Sequence, residues 1–211
     1  ALKGAALFLG LIGPGLLPAE LVRTMAPNPI IFALANPTPE IMPDEARVAS
    51  PGAMIATGRS DFPNQVNNVL CFPFIFRGAL DVGARDINDE MKLACVEAIA
   101  SLARATTSAE VGQAYKGENL SFGPEYLIPK PFDPRLLPTI ALAVAQAAME
   151  SGVAQKEIDL EAYRSALEAQ VFRSSLIMRQ IFTAARQSER KIVFAEGEEI
   201  MRRAPVVDLV F

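Results

Sequence analysis

Three short apolar segments, each followed by glycine or asparagine, constrain the fold of this chain more than any other feature. They span residues 7–12, 30–35 and 53–57, and each is too short to be a buried helix. Continuous apolar runs of this length are typical of buried parallel strands. A short helical segment with proline at its start, residues 18–25, separates the first two. The sequence therefore predicts an α/β fold around an open, mostly parallel sheet.

The residues that follow the predicted strands are the first candidates for a ligand site. In open parallel sheets ligands bind beyond the carboxyl ends of the strands, and Gly13–Gly15, Asn36 and Gly58–Ser60 fall at that edge. The sequence Gly13-Pro14-Gly15 would let the backbone approach a dinucleotide, but an ordinary strand-to-helix turn explains it at least as well. The chain contains no GxGxxG motif, so we expect any phosphate-binding loop to lie upstream of Ala1.

Uncharged amides are concentrated near the same edge. Asn36 stands before Pro37, and Asn64, Asn67 and Asn68 precede an apolar helical segment. Such amides can orient a polar ligand, since each side chain both donates and accepts hydrogen bonds. An ordinary turn residue at Asn36, and a helix cap with its neighbour at Asn67 and Asn68, are the structural alternatives.

The rest of the chain is predicted to be mainly helical. Asn88 is expected to cap an alanine-rich amphipathic helix, and Ser151–Gly152 to end the helix before it. Residues 126–135 contain three prolines and predict an extended loop. The remaining predictions are a helix over 66–83 that is kinked at Pro73 or divided in two, helices over 90–103, 137–149 and 159–186, and a strand over 190–198.

Composition excludes several classes of function. The 20 basic and 24 acidic residues give a net charge of −4, and no concentrated basic patch suggests a nucleic-acid partner. No apolar run is long enough to span a membrane, so we expect no membrane partner and a cytoplasmic location.

Reactive side chains are few. The chain has no histidine and no plausible cluster of metal ligands. Cys71 and Cys95 lie in apolar surroundings and are expected to be reduced, buried thiols, with a disulfide or a catalytic nucleophile as the alternative. Lys130 lies between prolines, where a desolvated lysine could act in catalysis, although a surface loop lysine is the simpler interpretation.

Three motifs together carry a family resemblance: Asn36–Glu40, Thr57–Asn68 and Ile128–Arg135. In this order they resemble the bacterial malic enzymes, and in particular the large NADP-dependent form that is fused to a phosphate-acetyltransferase-like domain. The resemblance implies that residues 1–152 are the C-terminal half of a Rossmann-like NAD(P)-binding domain. It further implies a helical linker over 153–187 and, over 188–211, the truncated start of the fused α/β domain.

The resemblance also implies a reaction and a division of roles. The family oxidises and decarboxylates L-malate to pyruvate and carbon dioxide with NADP (or NAD) and Mg²⁺ or Mn²⁺, usually as a homo-oligomer. By motif match, Asn36 would bind the nicotinamide end of the cofactor. Asn68 would bridge the nicotinamide ribose and malate, and Asn67 would support it at the substrate.

The same resemblance leaves the chain without a complete site. The family's catalytic tyrosine and lysine, its metal ligands and its glycine-rich loop would all lie upstream of Ala1. We therefore expect no catalytic or metal-binding residue here and an internal fragment that is inactive alone. A non-catalytic nucleotide-binding or oligomerisation module, or another NAD(P)-dependent dehydrogenase, remains the alternative.

Overall fold

A parallel sheet of three strands forms the first half of the protein. The computed structural model describes residues 2–106 and 120–187 and the side chains up to residue 173. Strands β1 (Leu7–Gly10), β2 (Ile30–Ala33) and β3 (Met54–Thr57) pair in the order β1-β2-β3. Both pairs are parallel. The structure confirms the α/β fold with a parallel sheet, although each strand is shorter than its apolar run.

Two short helices connect these strands. Helix α1 (Ala19–Val22) follows β1, and helix α2 (Pro43–Ala49) follows β2. The sequence interpretation missed α2, although proline at its first position and acidic residues in its first turn are signals of a helix start. The apolar side chains that fill this core are those of Leu17, Val22, Met25, Ile31, Ala33, Ile41, Ala46, Ala53 and Ile55.

Strand β1 departs from its prediction as a buried strand. Leu7 and Leu9 are 52% and 58% exposed, and Gly10 is its one buried residue. Edge position alone does not explain this, since β1 and β3 are both edge strands of the described sheet and β3 has three buried residues. Leu7 and Leu9 are exposed because no other described residue covers their side chains. The apolar composition of the run therefore predicted the strand correctly but not its burial.

The second half of the protein is built from helices. A 3₁₀ helix (Asn68–Leu70) leads into α3 (Phe72–Asp81), which is followed by α4 (Asp89–Arg104) and α5 (Leu136–Glu150). The prediction for residues 66–83 is confirmed as two separate helices, because Pro73 lies in the first turn of α3 instead of inside a longer helix. Helix α5 packs against both α3 and α4.

The ends of the helices and the loop before α5 agree with the sequence prediction. The side chain of Asn88 accepts a hydrogen bond from the backbone N–H of Met91 at the start of α4. Gly152, which follows α5, has a φ of 75°, a conformation that favours glycine. Residues 126–135 contain no helix or strand, in agreement with the predicted loop.

The last described helix is α6 (Leu160–Gln187), in the region predicted to be a helical linker. Asp159 caps it by accepting hydrogen bonds from the backbone N–H groups of Glu161 and Ala162. Residues up to Arg164 belong to one compact unit and those from Ser165 to a second. The strand predicted over residues 190–198 lies outside the described residues.

The two cysteines are free thiols in helical surroundings. Cys95 is buried and Cys71 is half-buried, with 3.4 Å between their sulfur atoms. Burial raises the pKa of the Cys95 thiol to about 12, with a further contribution from its hydrogen bond to Cys71. No helix in the described part of the chain is long and apolar enough to cross a membrane.

Candidate functional site

The carboxyl ends of the three strands meet at one edge because the strands are parallel. The segment that follows β1 contains Gly13-Pro14-Gly15, the segment after β2 contains Asn36, and that after β3 contains Arg59. The Arg59 guanidinium donates to the Pro37 carbonyl oxygen at 3.4 Å, so the last two of these segments are in contact. The structure thus brings the predicted positions together at one edge.

Asn36 lies three residues beyond β2 and is exposed. Among the described residues its side-chain amide forms no hydrogen bond, and the peptide bond to Pro37 is cis. Its neighbour Ala35, by contrast, is buried and its N–H is bonded to a side chain. The Asn36 side chain is therefore exposed to a ligand, next to a backbone N–H that is anchored at Ala35.

Asn68 and Asn67 reach the same edge through β3. The Val66 N–H donates to the Thr57 carbonyl oxygen at 2.7 Å, which attaches the segment before Asn67 to the end of that strand. The side chain of Asn67 caps the 3₁₀ helix by accepting from the Val69 N–H at 3.0 Å. Asn68 is the first residue of that helix, is exposed, and forms no side-chain hydrogen bond with any other described residue.

Asn64 differs from these asparagines. It is 4% exposed, and its φ of 56° lies in the left-handed region. Its side-chain nitrogen donates to the carbonyl oxygens of Ile55 (3.0 Å) and Pro124 (2.7 Å), and its side-chain oxygen accepts from the Leu127 N–H at 2.7 Å. These bonds join β3 to a loop some 60 residues further along the chain, so Asn64 is a structural residue.

Glu40 ends the motif Asn36–Glu40, and the sequence indicated no role for it. It is fully buried, and its two carboxyl oxygens accept from the backbone N–H groups of Ile12 and Ala35 at 3.0 and 3.1 Å. The sequence did contain a signal of this burial: a glutamate between Pro39 and Ile41, four residues after the asparagine that follows β2. One partner, Ala35, is five residues away, but the other, Ile12, is 28 residues away, and no local pattern reveals it.

The proline-rich loop is anchored by an ion pair. Asp133 is 3% exposed, and the Arg135 guanidinium contacts its carboxylate at 2.6 Å. The hydrogen bond to Asp133 raises the pKa of Arg135, against the opposing effect of burial. Arg135 also donates to the Thr106 carbonyl oxygen at 2.7 Å, which holds the loop where α5 begins. Lys130 is half-buried in the same loop.

A dinucleotide and a metal ion need different side chains. The exposed amides of Asn36 and Asn68 offer neutral donors and acceptors, groups that can bind a polar ligand. For a metal ion, residues 2–106 and 120–187 contain no group of three or more His, Cys, Asp or Glu side chains that could hold one. The described edge therefore offers groups that can bind part of a dinucleotide.

A parallel sheet with polar groups at its carboxyl edge is typical of nucleotide-binding α/β domains. Comparison with known families is specific: residues 5–115 match the malic enzyme NAD-binding domain. The chain belongs to the malic enzyme family.

Individual relatives agree with this assignment. A NAD-dependent malic enzyme from Rhizobium meliloti is 58% identical over 98% of this chain and 27% of its own length. A NADP-dependent malic enzyme from Escherichia coli is 59% identical over 94% of this chain and 26% of its own. The chain thus spans about a quarter of the length of these curated relatives.

A solved structure supports the fold. The malic enzyme from Pyrococcus horikoshii matches with a TM-score of 0.71 and 38% identity, over 88% of this chain and 40% of that protein. Both the sheet and the family predicted from the sequence are therefore confirmed.

Proposed function

We propose that this chain acts within a malic enzyme that converts L-malate to pyruvate and carbon dioxide while reducing NADP. In that enzyme it supplies one wall of the pocket for cofactor and malate. The observation that carries the proposal is the pair of exposed amides, Asn36 and Asn68, at the carboxyl edge of a sheet that matches the family. Relatives named for this activity at almost 60% identity support it.

The roles follow from what a neutral amide can do. Asn36 would bind the nicotinamide end of the cofactor, and Asn68 would reach both the nicotinamide ribose and malate. Asn67 would hold Asn68 in place, since its side chain caps the 3₁₀ helix that Asn68 begins. Amides can position a substrate carboxylate without adding charge beside the transferred hydride.

The proposal assigns the remaining chemistry to other parts of the enzyme. NADP would accept the hydride, and Mg²⁺ or Mn²⁺ would polarise the substrate oxygen during decarboxylation. We also propose the arrangement 1–152 for the NAD(P)-binding part, 153–187 for a linker and 188–211 for the start of a fused domain, in a homo-oligomeric enzyme. The preference for NADP over NAD is part of the proposal, because relatives are named for either cofactor.

Two assays test this function. The purified 211-residue chain, given L-malate, NADP and Mg²⁺, should produce no NADPH; turnover would contradict the claim that it is only part of a site. In a malic enzyme that contains this chain, Asn68→Ala should lower kcat/KM for malate by about 100-fold, since loss of a positioning contact costs about this much.

The matched control is Gln146→Ala, which removes an exposed amide on α5, far along the chain from the sheet. It should leave turnover unchanged. Near-normal activity of Asn68→Ala would contradict the assigned role. Binding of NADP without any malate-dependent reduction by the whole enzyme would instead favour a nucleotide-binding module.

A further inference from the structure

A buried carboxyl group lies behind the candidate cofactor site. Glu40 is fully buried, and it forms no ion pair with a Lys or Arg in the described part of the chain. Its described partners are two backbone N–H groups, one for each carboxyl oxygen. Burying a carboxyl group has a large desolvation cost, and an apolar residue would fill the same space without it.

The two N–H groups belong to the segments after two different strands. Ile12 follows β1, and Ala35 directly precedes Asn36. Two backbone hydrogen bonds strengthen this connection: Gly15 N–H to the Pro39 carbonyl oxygen (3.2 Å) and Leu17 N–H to the Glu40 carbonyl oxygen (3.0 Å). Glu40 therefore fixes the backbone around Gly13–Gly15 relative to the backbone that carries Asn36.

The sheet leaves space for this side chain. A Cβ atom on Gly10, at the end of β1, would lie 2.5 Å from the Glu40 carboxyl carbon and 2.6 Å from one of its oxygens. Glycine in a strand often marks such a close approach. Gly10 thus leaves, at the end of β1, the space that the Glu40 carboxyl group occupies.

We propose that Glu40 is a positioning residue for the cofactor: it holds the Gly13–Gly15 segment and Asn36 in the arrangement that binds the dinucleotide. This inference rests on the proposed function for the reaction it serves. If a substitution loosens the two segments, a smaller fraction of the protein has the arrangement that binds the cofactor. The apparent affinity for the cofactor falls in proportion to that fraction. Saturating cofactor would restore the arrangement, so turnover at saturation should be nearly unchanged.

Glu40→Gln in a malic enzyme that contains this chain tests the proposal. The amide keeps one acceptor but turns an N–H group towards the second backbone N–H, which costs about one hydrogen bond. We expect KM and the dissociation constant for NADP to rise about tenfold, with kcat at saturating NADP within about twofold. The control Asp44→Asn changes a highly exposed carboxyl group in the first turn of α2 and should leave both constants unchanged.

Each result of the Glu40→Gln experiment either supports the positioning role of Glu40 or overturns it. A fall in kcat with an unchanged KM for NADP is what loss of folded enzyme would give, and it would overturn the proposal. If Glu40→Gln does not fold, Gly10→Ala displaces the same carboxyl group and should raise the NADP constants similarly; normal constants, or failure of both variants to fold, would also overturn it. A wild-type enzyme without malate-dependent activity would defeat the proposed function alone, because NADP titration of wild type and variant still tests Glu40.

Discussion

The sheet half and the helical half of this protein are stabilised by different interactions. At the carboxyl edge of the sheet, the buried polar side chains of Glu40, Thr57 and Asn64 bond to backbone groups. Helices α3, α4 and α5 contain no buried polar or charged residue and pack through apolar side chains. The edge of the sheet needs directional contacts because it holds loops in place, whereas helix packing needs only shape and apolar area.

This difference shows where the protein tolerates change. In the helical half, a substitution is costly when it alters volume. At the sheet edge, it is costly when it removes a hydrogen-bond partner from a buried backbone group. The exposed amides that are proposed to bind the ligand should be replaceable at almost no cost in stability.

The largest expected effect is at Gly78, in the contact between α3 and α5. A Cβ there would lie 2.5 Å from the Ala141 carbonyl oxygen and 2.9 Å from the Val144 Cβ. Alanine is the better helix former by about 1 kcal/mol, but a backbone clash outweighs that gain. We expect Gly78→Ala to lower the free energy of unfolding by about 3 kcal/mol in urea denaturation.

The matched control lies at the sheet edge. A Cβ at Gly13 would meet only the Leu16 side chain, at an ordinary 3.6 Å. Gly13→Ala should therefore change the unfolding free energy by less than about 0.5 kcal/mol. Equal effects of the two substitutions would contradict the close packing of α3 against α5 at Gly78.

The second-largest loss of stability is expected at Asn64, and it tests the hydrogen bonds of the sheet half. Asn64→Ala removes three hydrogen bonds and leaves the backbone groups of Ile55, Pro124 and Leu127 without this partner. We expect a loss of about 2 kcal/mol in thermal or urea unfolding. Asn68→Ala, a change of the same side chain at an exposed position, should cost almost nothing; if both cost the same, the distinction between them is wrong.

A smaller effect is expected at the start of α4. Asn88→Ala removes the helix cap and should lower the unfolding free energy by about 1 kcal/mol. Asn88→Asp keeps an equally good capping oxygen and loses only the donation to the Ser151 hydroxyl. The aspartate variant should therefore be the more stable of the two, and the reverse order would count against the capping role.

The last effect, similar in size to the loss of the Asn88 cap, is a pH dependence of stability in the helical core. Burial raises the pKa of Cys95 from an ordinary 9.0 to about 12. A pKa that is higher in the folded state gives stability that is complete below about pH 9 and is lost as pH rises towards 12. Between pH 8 and pH 10, wild-type protein should lose about 1 kcal/mol more unfolding free energy than Cys95→Ala; parallel curves would show that this thiol does not titrate as proposed.

Local sequence patterns predicted the helical half well. The cap at Asn88, the interruption at Pro73 and the glycine after α5 are signals that act within one or two helical turns. The sheet half was predicted less completely. Helix α2 was missed although proline and acidic residues mark its start. Strand β1 was wrongly expected to be buried because an apolar run does not reveal which of its side chains other residues cover.

The candidate site shows the limit of sequence reasoning most clearly. Asn36, Asn67 and Asn68 lie at the edge that the strand pattern predicted, and their roles towards cofactor and malate stay predictions. Asn64 was grouped with them because it is near in sequence, but its partners include Pro124 and Leu127. Glu40 received no role because its partner Ile12 lies 28 residues away.

The sequence by itself determined the parallel α/β fold, most helices and the membership of the malic enzyme family. These depend on local periodicity, capping and contiguous motifs, all of which are written along the chain. Only the tertiary structure decided which polar side chains are structural and which are available to a ligand. Hydrogen bonds between distant segments make that distinction, because the same amide is a structural clamp when it is buried among backbone groups and a binding group when it is exposed.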